Sequence, residues 1–436
     1  MKLPIDKNVF QSVLDKMDIM DISCATIRQA GAVAGMLENM TETEFLHLEM
    51  GIPGLLPVTS GVEAEKKALD AGIASKYPVM YGIPELKKQS SRFLKAFLGV
   101  DVDPTGCIPT VGSMQGSFTI FLLCSQLQDG KDTVLFIDPG FPVQRTQTRI
   151  LGISSESFDI YDHRGERLGP ELERHLRSGR IAAIIYSSPN NPAWFNLTED
   201  ELKTIGELAT RYDAIVIEDL AYMCMDFRKP LGRPNQPPYQ PTVARYTDNY
   251  IIMMSGSKMF SYAGQRIAVV AVSPFLFTRE YEKLKGIYRM ARLGDAYVFG
   301  VLYAASSGTS HSAQYALAEM LRAAADGELD FVSAASEYAR RAGITKRMFI
   351  DNGFHIVYSM DGEEPVSDGF FYTVGYKGMQ SGELMGELIR YGMATISLST
   401  TGSRQAGVRV CVSQLNRPEQ FEMLEERLRL FAADHP

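Results

Sequence analysis

Between residues 133 and 272 the chain alternates short, continuously apolar runs with stretches of helical spacing. The runs are Thr133-Val134-Leu135-Phe136-Ile137, Ile181-Ala182-Ala183-Ile184-Ile185-Tyr186, Ala214-Ile215-Val216-Ile217, Tyr250-Ile251-Ile252-Met253-Met254 and Ile267-Ala268-Val269-Val270-Ala271-Val272. A strand with one wet face alternates apolar and polar residues, whereas an unbroken apolar run needs cover on both faces. The pattern therefore predicts an α/β architecture, a mostly parallel sheet between two helical layers. Helices are predicted at Glu85–Leu98, ended by Gly99, from Ser113 to Leu127, and from Thr198 to Tyr212. Thr198 and Glu201 have the spacing of a capping box at the start of the last of these.

A chain of 436 residues is too long for one small core. The sheet pattern fills roughly residues 60–325. The proline-rich stretch 228–242 is a loop within it, because the pattern resumes afterwards. Past 326–332 the composition changes. A helix from Ala334, strands at Phe354–Tyr358 and Phe370–Val374, another helix, a strand at Val408–Val412 and a helix from Pro418 follow. This predicts a large domain at 60–325 and a smaller α/β domain at 326–436. The N-terminal segment 1–59, helical and then loop-like, is expected to pack with the smaller one.

Composition narrows the function classes. A net charge of −8 argues against nucleic acid or an anionic membrane as the main partner. Five cysteines without a CxxC pair fit reduced thiols and a cytoplasmic location. The N-terminus lacks a basic region followed by an apolar run, so no signal peptide is read. The most apolar stretch, around Phe118–Cys124, is too short to span a bilayer. Six scattered histidines give no metal-ligand spacing, and no GxSxG elbow is present.

In an open parallel sheet, ligands bind beyond the carboxyl ends of the strands. The groups at those ends are coherent. Gly112-Ser113-Met114-Gln115-Gly116 opens a helix, whose N–H groups and Ser113 hydroxyl suit a phosphate; a plain Ser N-cap is the competing reading. Asp138-Pro139-Gly140-Phe141 offers a ring for stacking, or a core Phe. Ser188-Pro189-Asn190-Asn191-Pro192 places a carboxamide at the sheet edge, or is simply a turn. Asp219 comes after the four apolar residues Ala214–Ile217 and Glu218, where a carboxylate calls for a cationic partner. Lys258, in Ser255-Gly256-Ser257-Lys258, is followed eight residues later by Arg266. An amine, hydroxyls and a guanidinium in this order are what a cofactor with an aldehyde and a phosphate requires.

With these motifs, the chain resembles the class I/II aminotransferases, pyridoxal-phosphate enzymes of fold type I, from about residue 45 to the final helix. The resemblance implies that Lys258 forms a Schiff base with pyridoxal 5′-phosphate and moves the substrate's Cα proton. It implies that Asp219 partners the pyridine nitrogen and that Tyr222 and Asn191 hydrogen-bond the cofactor's phenolic oxygen. Ser113, Met114 (by its backbone), Ser255, Ser257 and Arg266 would hold the phosphate, and Phe141 would stack on the ring. Arg409 would grip the substrate's α-carboxylate, with Gly51 approaching the same group. Tyr77, or its competitor Tyr81, would reach the phosphate of a second subunit in a homodimer. The implied activity is ping-pong transfer of an amino group from an amino acid to a 2-oxo acid.

Two departures from the family pattern stand out. Asn191-Pro192 is followed by Ala193-Trp194-Phe195 rather than Thr-Gly, which would put bulky aromatics at the site edge. Pro53-Gly54-Leu55 replaces the usual Pro-Asp-Phe. Arg289 and Arg292 could bind a distal acidic group, or could lie on an exposed helix face. The rival activities are a fold type I lyase, by β-elimination or decarboxylation, and a cofactor-binding sensor module.

Overall fold

The computed structural model describes residues 3–436. Seven strands form the larger sheet: β1 (Cys107–Val111), β2 (Thr133–Asp138), β3 (Ser154–Asp159), β4 (Ile181–Ser187), β5 (Ile215–Asp219), β6 (Tyr250–Ser255) and β7 (Ile267–Val272). Their spatial order is β1-β7-β6-β5-β4-β2-β3. The pairs from β6 across to β3 are parallel, and β7 is antiparallel to both of its neighbours. Strands β2, β4, β5, β6 and β7 are buried along their whole length. This is the two-sided cover that their unbroken apolar runs require. Each Val, Ile or Leu so buried contributes about 1.5–3 kcal/mol relative to exposure.

The reversal of β7 has a functional consequence. Val111 pairs with Ile267 and Ser255 with Ala268. The start of β7 therefore lies at the same sheet edge as the carboxyl ends of β1 and β6. Arg266, one residue before β7, is delivered to the edge where Gly112 and Lys258 sit.

Helices cover the sheet with the end signals that their sequences carry. Pro84–Leu98 has Pro84 in its first turn and ends on Gly99 at φ 68°, a left-handed position that glycine adopts without penalty. Glu199–Arg211 is closed by the expected box: the Thr198 N–H donates to Glu201 Oε2 at 2.9 Å, and the Glu201 N–H to Thr198 Oγ1 at 3.2 Å.

A second, antiparallel sheet holds β8 (Phe354–Ile356), β9 (Phe371–Tyr376), β10 (Ile396–Ser397) and β11 (Val408–Cys411) in the order β10-β11-β9-β8. Both chain ends build its core. Val33 and Leu37 of helix Ile27–Thr41 share one cluster with Val410 of β11, Leu388, and Phe431 of the last helix. Leu46–His47 pairs in parallel with Met393–Ala394.

Several local expectations shift. Helix Gly112–Cys124 starts one residue before the expected Ser113 and stops short of Leu127. The helix expected from Ala334 begins at Phe331, where the Asp330 carboxylate accepts from the Ser333 N–H at 2.8 Å. Strands β1 and β3 were not expected. The first contains Pro109, and the second reads Ser-Ser-Glu-Ser-Phe-Asp with its first residues exposed. Both are edge strands, which need no two-sided apolar cover. Among the described residues, no helix is long and apolar enough to cross a membrane.

Candidate active site

The short turn of helix Gly256–Met259 carries Lys258 off the end of β6. Its Nζ donates to the carbonyl of Gly51 and lies 5.6 Å from the centre of the Phe370 ring. Burial pulls the ammonium down to about 8, because a low-dielectric setting penalises the charged form. Just before it, Ser255 and Ser257 are buried, with their hydroxyls 2.9 Å apart and the Ser257 N–H donating to Ser255 Oγ at 3.1 Å.

Across β7, helix Gly112–Cys124 begins at the same edge. Its N-cap is Val111, without a capping side chain, so the Ser113 hydroxyl is not an ordinary N-cap. The N–H groups of a first helical turn have no partner within the helix. Gly112 sits at φ 69°, and a Cβ there would lie 2.3 Å from Arg266 Nη2. The guanidinium thus lies against bare backbone at the helix start. Ser113, Met114, Ser255, Ser257 and Arg266 are brought to one edge.

Asp219 ends β5 and is buried. Its partners are both neutral: Gln144 Nε2 donates to Oδ2 at 3.0 Å and the Ala221 N–H to Oδ1 at 3.2 Å. Burial pushes the carboxyl up to about 6, against the pull of those two bonds. Gln144 carried no signal in the sequence; it faces Asp219 only because helix Pro142–Ile150 starts directly after Phe141. Phe141 is half-buried at that N-cap.

Tyr222 is buried among aromatic rings, with Trp194 at 5.2 Å and Phe370 and Phe371 each at 5.4 Å between centroids. Burial drives its hydroxyl well above the usual range. Trp194 corrects an expectation: it is not at the site edge but fully buried behind Tyr222. Asn191 is buried as well, and its Oδ1 accepts from Arg409 at 3.0 Å.

Arg409, on β11, is 1% exposed. Its two terminal nitrogens donate to Asn191 Oδ1 and to the carbonyl of Glu49, and its Nε is buried without a partner. The guanidinium also lies 4.5 Å over the Phe371 ring. Burial lowers its pKa from the ordinary arginine value. Glu49 and Gly51 belong to one segment, so Arg409 and Lys258 are tied to carbonyls two residues apart. Gln414 Nε2 donates to the carbonyls of Ile52 and Pro53 at 3.2 and 3.1 Å, and the Gly54 N–H to the Tyr338 hydroxyl at 3.0 Å. A Cβ at Gly54 would meet the Ser413 carbonyl at 1.6 Å. Glycine at 54 is what lets this segment approach the turn that follows the strand carrying Arg409.

Tyr81 and Tyr77 differ sharply. The Tyr81 hydroxyl donates to Asp295 at 2.9 Å, and its ring meets Phe299 edge-on at 5.0 Å. Tyr77 is 89% exposed. Arg289 and Arg292 are exposed, in the turn after helix Glu282–Tyr288 rather than on a helix face. Among the described residues, no group of three or more His, Cys, Asp or Glu side chains could hold a metal ion.

A seven-stranded sheet with one reversed strand, and a lysine, a buried acid and an arginine gathered at its edge, define a fold type I enzyme scaffold. A family model described as aminotransferase class I and II matches residues 43–428, and the chain belongs to that family. The probable aspartate aminotransferase of Methanocaldococcus jannaschii is 28% identical over 237 residues, 54% of this chain and 59% of the relative. The aspartate aminotransferase of Pyrococcus horikoshii is 26% identical over 268 residues, 61% of this chain and 64% of the relative. The chain thus spans about three fifths of the length of these curated relatives. A solved single mutant of Thermus thermophilus aspartate aminotransferase superposes with a TM-score of 0.74 over 93% of this chain and 97% of its own, at 20% identity, which shows the common fold.

The cofactor of this family is pyridoxal 5′-phosphate, and the residues present fit it. A buried carboxylate with only neutral partners suits a protonated ring nitrogen. Gly112, with no side chain against Arg266, leaves room for a phosphate.

Proposed function

We propose that the protein is an amino-acid aminotransferase that moves an amino group from an amino acid to a 2-oxo acid in ping-pong order. The observation that carries this reading is the joint attachment of Lys258 and Arg409 to carbonyls two residues apart, at Gly51 and Glu49. An α-amino acid has its amine and carboxylate on one carbon, and here an amine and a guanidinium converge on one short segment. Relatives named as aspartate aminotransferases support the reading.

Pyridoxal 5′-phosphate, when bound, supplies an aldehyde for the substrate amine and a ring that withdraws electrons from the substrate's Cα. Asp219 would hold the ring nitrogen protonated. Asn191 and Tyr222 would face the phenolic oxygen, and Phe141 would cover the ring. Ser113, Met114 through its N–H, Ser255, Ser257 and Arg266 would bind the phosphate. Arg409 would grip the α-carboxylate with two parallel hydrogen bonds, with Gly51 backbone beside it, and so fix the Cα–H bond across the ring plane. Lys258 Nζ would take the proton from the substrate's Cα, as an amine whose pKa burial has pulled down to about 8 can do.

We further infer a homodimer. The exposed Tyr77 and Val79, at 89% and 61%, support cover by a second copy, with Tyr77 rather than the tethered Tyr81 reaching the neighbouring phosphate. The two sheets support a division into 60–325 and 326–436, with 1–59 packed on the second. Five free cysteines, four of them buried, support a cytoplasmic location.

The test is absorbance of the cofactor-loaded protein during single additions of the twenty amino acids. Conversion of the visible band with a 2-oxo acid appearing is the expected result, and the active amino acids name the side-chain class. Release of ammonia and pyruvate without a second oxo acid would instead mark a lyase.

A further inference from the structure

Trp194 is the chain's only tryptophan, and it occupies an expensive position. It is fully buried, its φ is 66°, and its indole nitrogen has no hydrogen-bond partner. A left-handed backbone and an unpartnered buried donor each carry a cost for a bulky residue. The chain also makes room for it. At Gly369 a Cβ would lie 1.9 Å from the indole Cε2 and 2.1 Å from Nε1. Only a glycine at 369 lets this ring sit here, so the two residues form a matched pair.

The ring packs against two aromatic side chains of the site. It meets Tyr222 edge-on at 5.2 Å and Phe371 at 6.1 Å, both at an interplanar angle of 68°. Phe371 in turn carries the Arg409 guanidinium on its face. Trp194 also closes the turn that presents Asn191: its N–H donates to the Asn190 carbonyl at 2.9 Å, and the Asn190 N–H donates to the Phe195 carbonyl at 2.9 Å. Asn191 accepts from Arg409. One residue therefore packs its side chain against Tyr222 and against the platform under Arg409, and closes with its backbone the turn that holds Asn191.

We propose that Trp194, seated on Gly369, is a positioning residue that sets Tyr222 and Arg409 relative to each other. It touches neither substrate nor cofactor; it fixes the groups that do. This rests on the proposed function for what Tyr222 and Arg409 contact. Edge-to-face aromatic packing is directional, so a smaller or displaced ring lets both neighbours shift. Misplacement by 1 Å can cost on the order of 10²-fold in rate.

The test compares Trp194→Ala, Trp194→Phe and Gly369→Ala in the cofactor-loaded protein, with folding checked by circular dichroism. Two quantities are read: the midpoint pH of the cofactor's visible band, which reports Tyr222 and Asn191, and the inhibition constant of 3-phenylpropionate, a carboxylate probe for Arg409. Trp194→Ala is expected to shift the midpoint and to weaken the probe by about tenfold or more. Trp194→Phe, which keeps an aromatic edge, should restore most of both. Gly369→Ala forces the intact indole aside and should reproduce the Trp194→Ala change, which keeps the test alive if that variant does not fold. A folded Gly369→Ala protein with both quantities unchanged overturns the proposal. Lys258→Ala serves as the control. If it leaves the visible band intact, the proposed function itself fails; if it removes the band while the other variants are silent, only the role of Trp194 fails.

Discussion

Gly112 and Arg266 are in direct register: a Cβ on the glycine, which sits at φ 69°, would lie 2.3 Å from the arginine's Nη2. Gly112→Ala therefore acts twice. The left-handed backbone costs about 1 kcal/mol with any side chain, and the methyl displaces the guanidinium from the helix start. The expected result is a rise of tenfold or more in the dissociation constant of pyridoxal 5′-phosphate, about 1.4 kcal/mol, read by absorbance titration. An unchanged constant would remove Arg266 from the phosphate site.

That register was half legible in the sequence. The spacing of Lys258 and Arg266 suggested a common ligand, and the apolar runs marked β2, β4, β5, β6 and β7 as buried strands. The reversed direction of β7, which brings Arg266 back to the edge of Lys258, was not legible, because an apolar run has no direction. The edge strands β1 and β3 escaped for a related reason: with one side or one end open to water, they need no continuous apolar run. Gln144 and Glu49 were invisible because one acts through a helix that only the fold aims at Asp219, and the other through its backbone carbonyl, which every residue has.

Asp219 makes a pH-dependent cost explicit. Burial raises its carboxyl to about 6 from the ordinary aspartate value of 3.8. The folded state then binds more protons than the unfolded state between those values, and stability falls as pH rises through that window. Above about pH 6 the penalty is complete, at most about 3 kcal/mol. In cofactor-free protein, Asp219→Asn should raise the urea midpoint at pH 7 to 8 and leave it nearly unchanged near pH 4. The same variant should bind the cofactor more weakly. A lower midpoint at pH 7 would mean that the carboxylate is structurally favourable as it stands.

Lys258 sets a second pH dependence, in rate rather than stability. Its amine must be neutral to attack an aldehyde, and burial pulls its pKa down to about 8. Loading of cofactor-free protein with pyridoxal 5′-phosphate should accelerate as pH rises towards 8 and level off above it. The unfolded chain holds this proton up to 10.5, so stability rises with pH between about 8 and 10.5. Stopped-flow absorbance from pH 6 to 10 checks the rate, and a profile still climbing steeply at pH 10 would place the amine in a wetter setting.

Arg409→Met separates binding from folding. A buried arginine paired to a carboxylate costs about 3–5 kcal/mol to break, mostly through the charge left behind. Arg409 donates instead to the Asn191 carboxamide and the Glu49 carbonyl, and its Nε has no partner. Its removal strands two neutral acceptors, at about 1–3 kcal/mol each, and relieves the desolvation of a full charge. These contributions oppose each other, so the stability of substrate-free protein should change by less than about 2 kcal/mol. Binding has no such offset. Two charge-assisted hydrogen bonds to a carboxylate, at about 1.5–3 kcal/mol each, are lost. The KM for the amino-acid substrate should rise on the order of 10²-fold or more, while the visible spectrum of the resting protein stays in place. Urea unfolding and initial rates on one preparation decide it. A large loss of stability with little change in KM would make Arg409 a structural arginine and leave the carboxylate to another group.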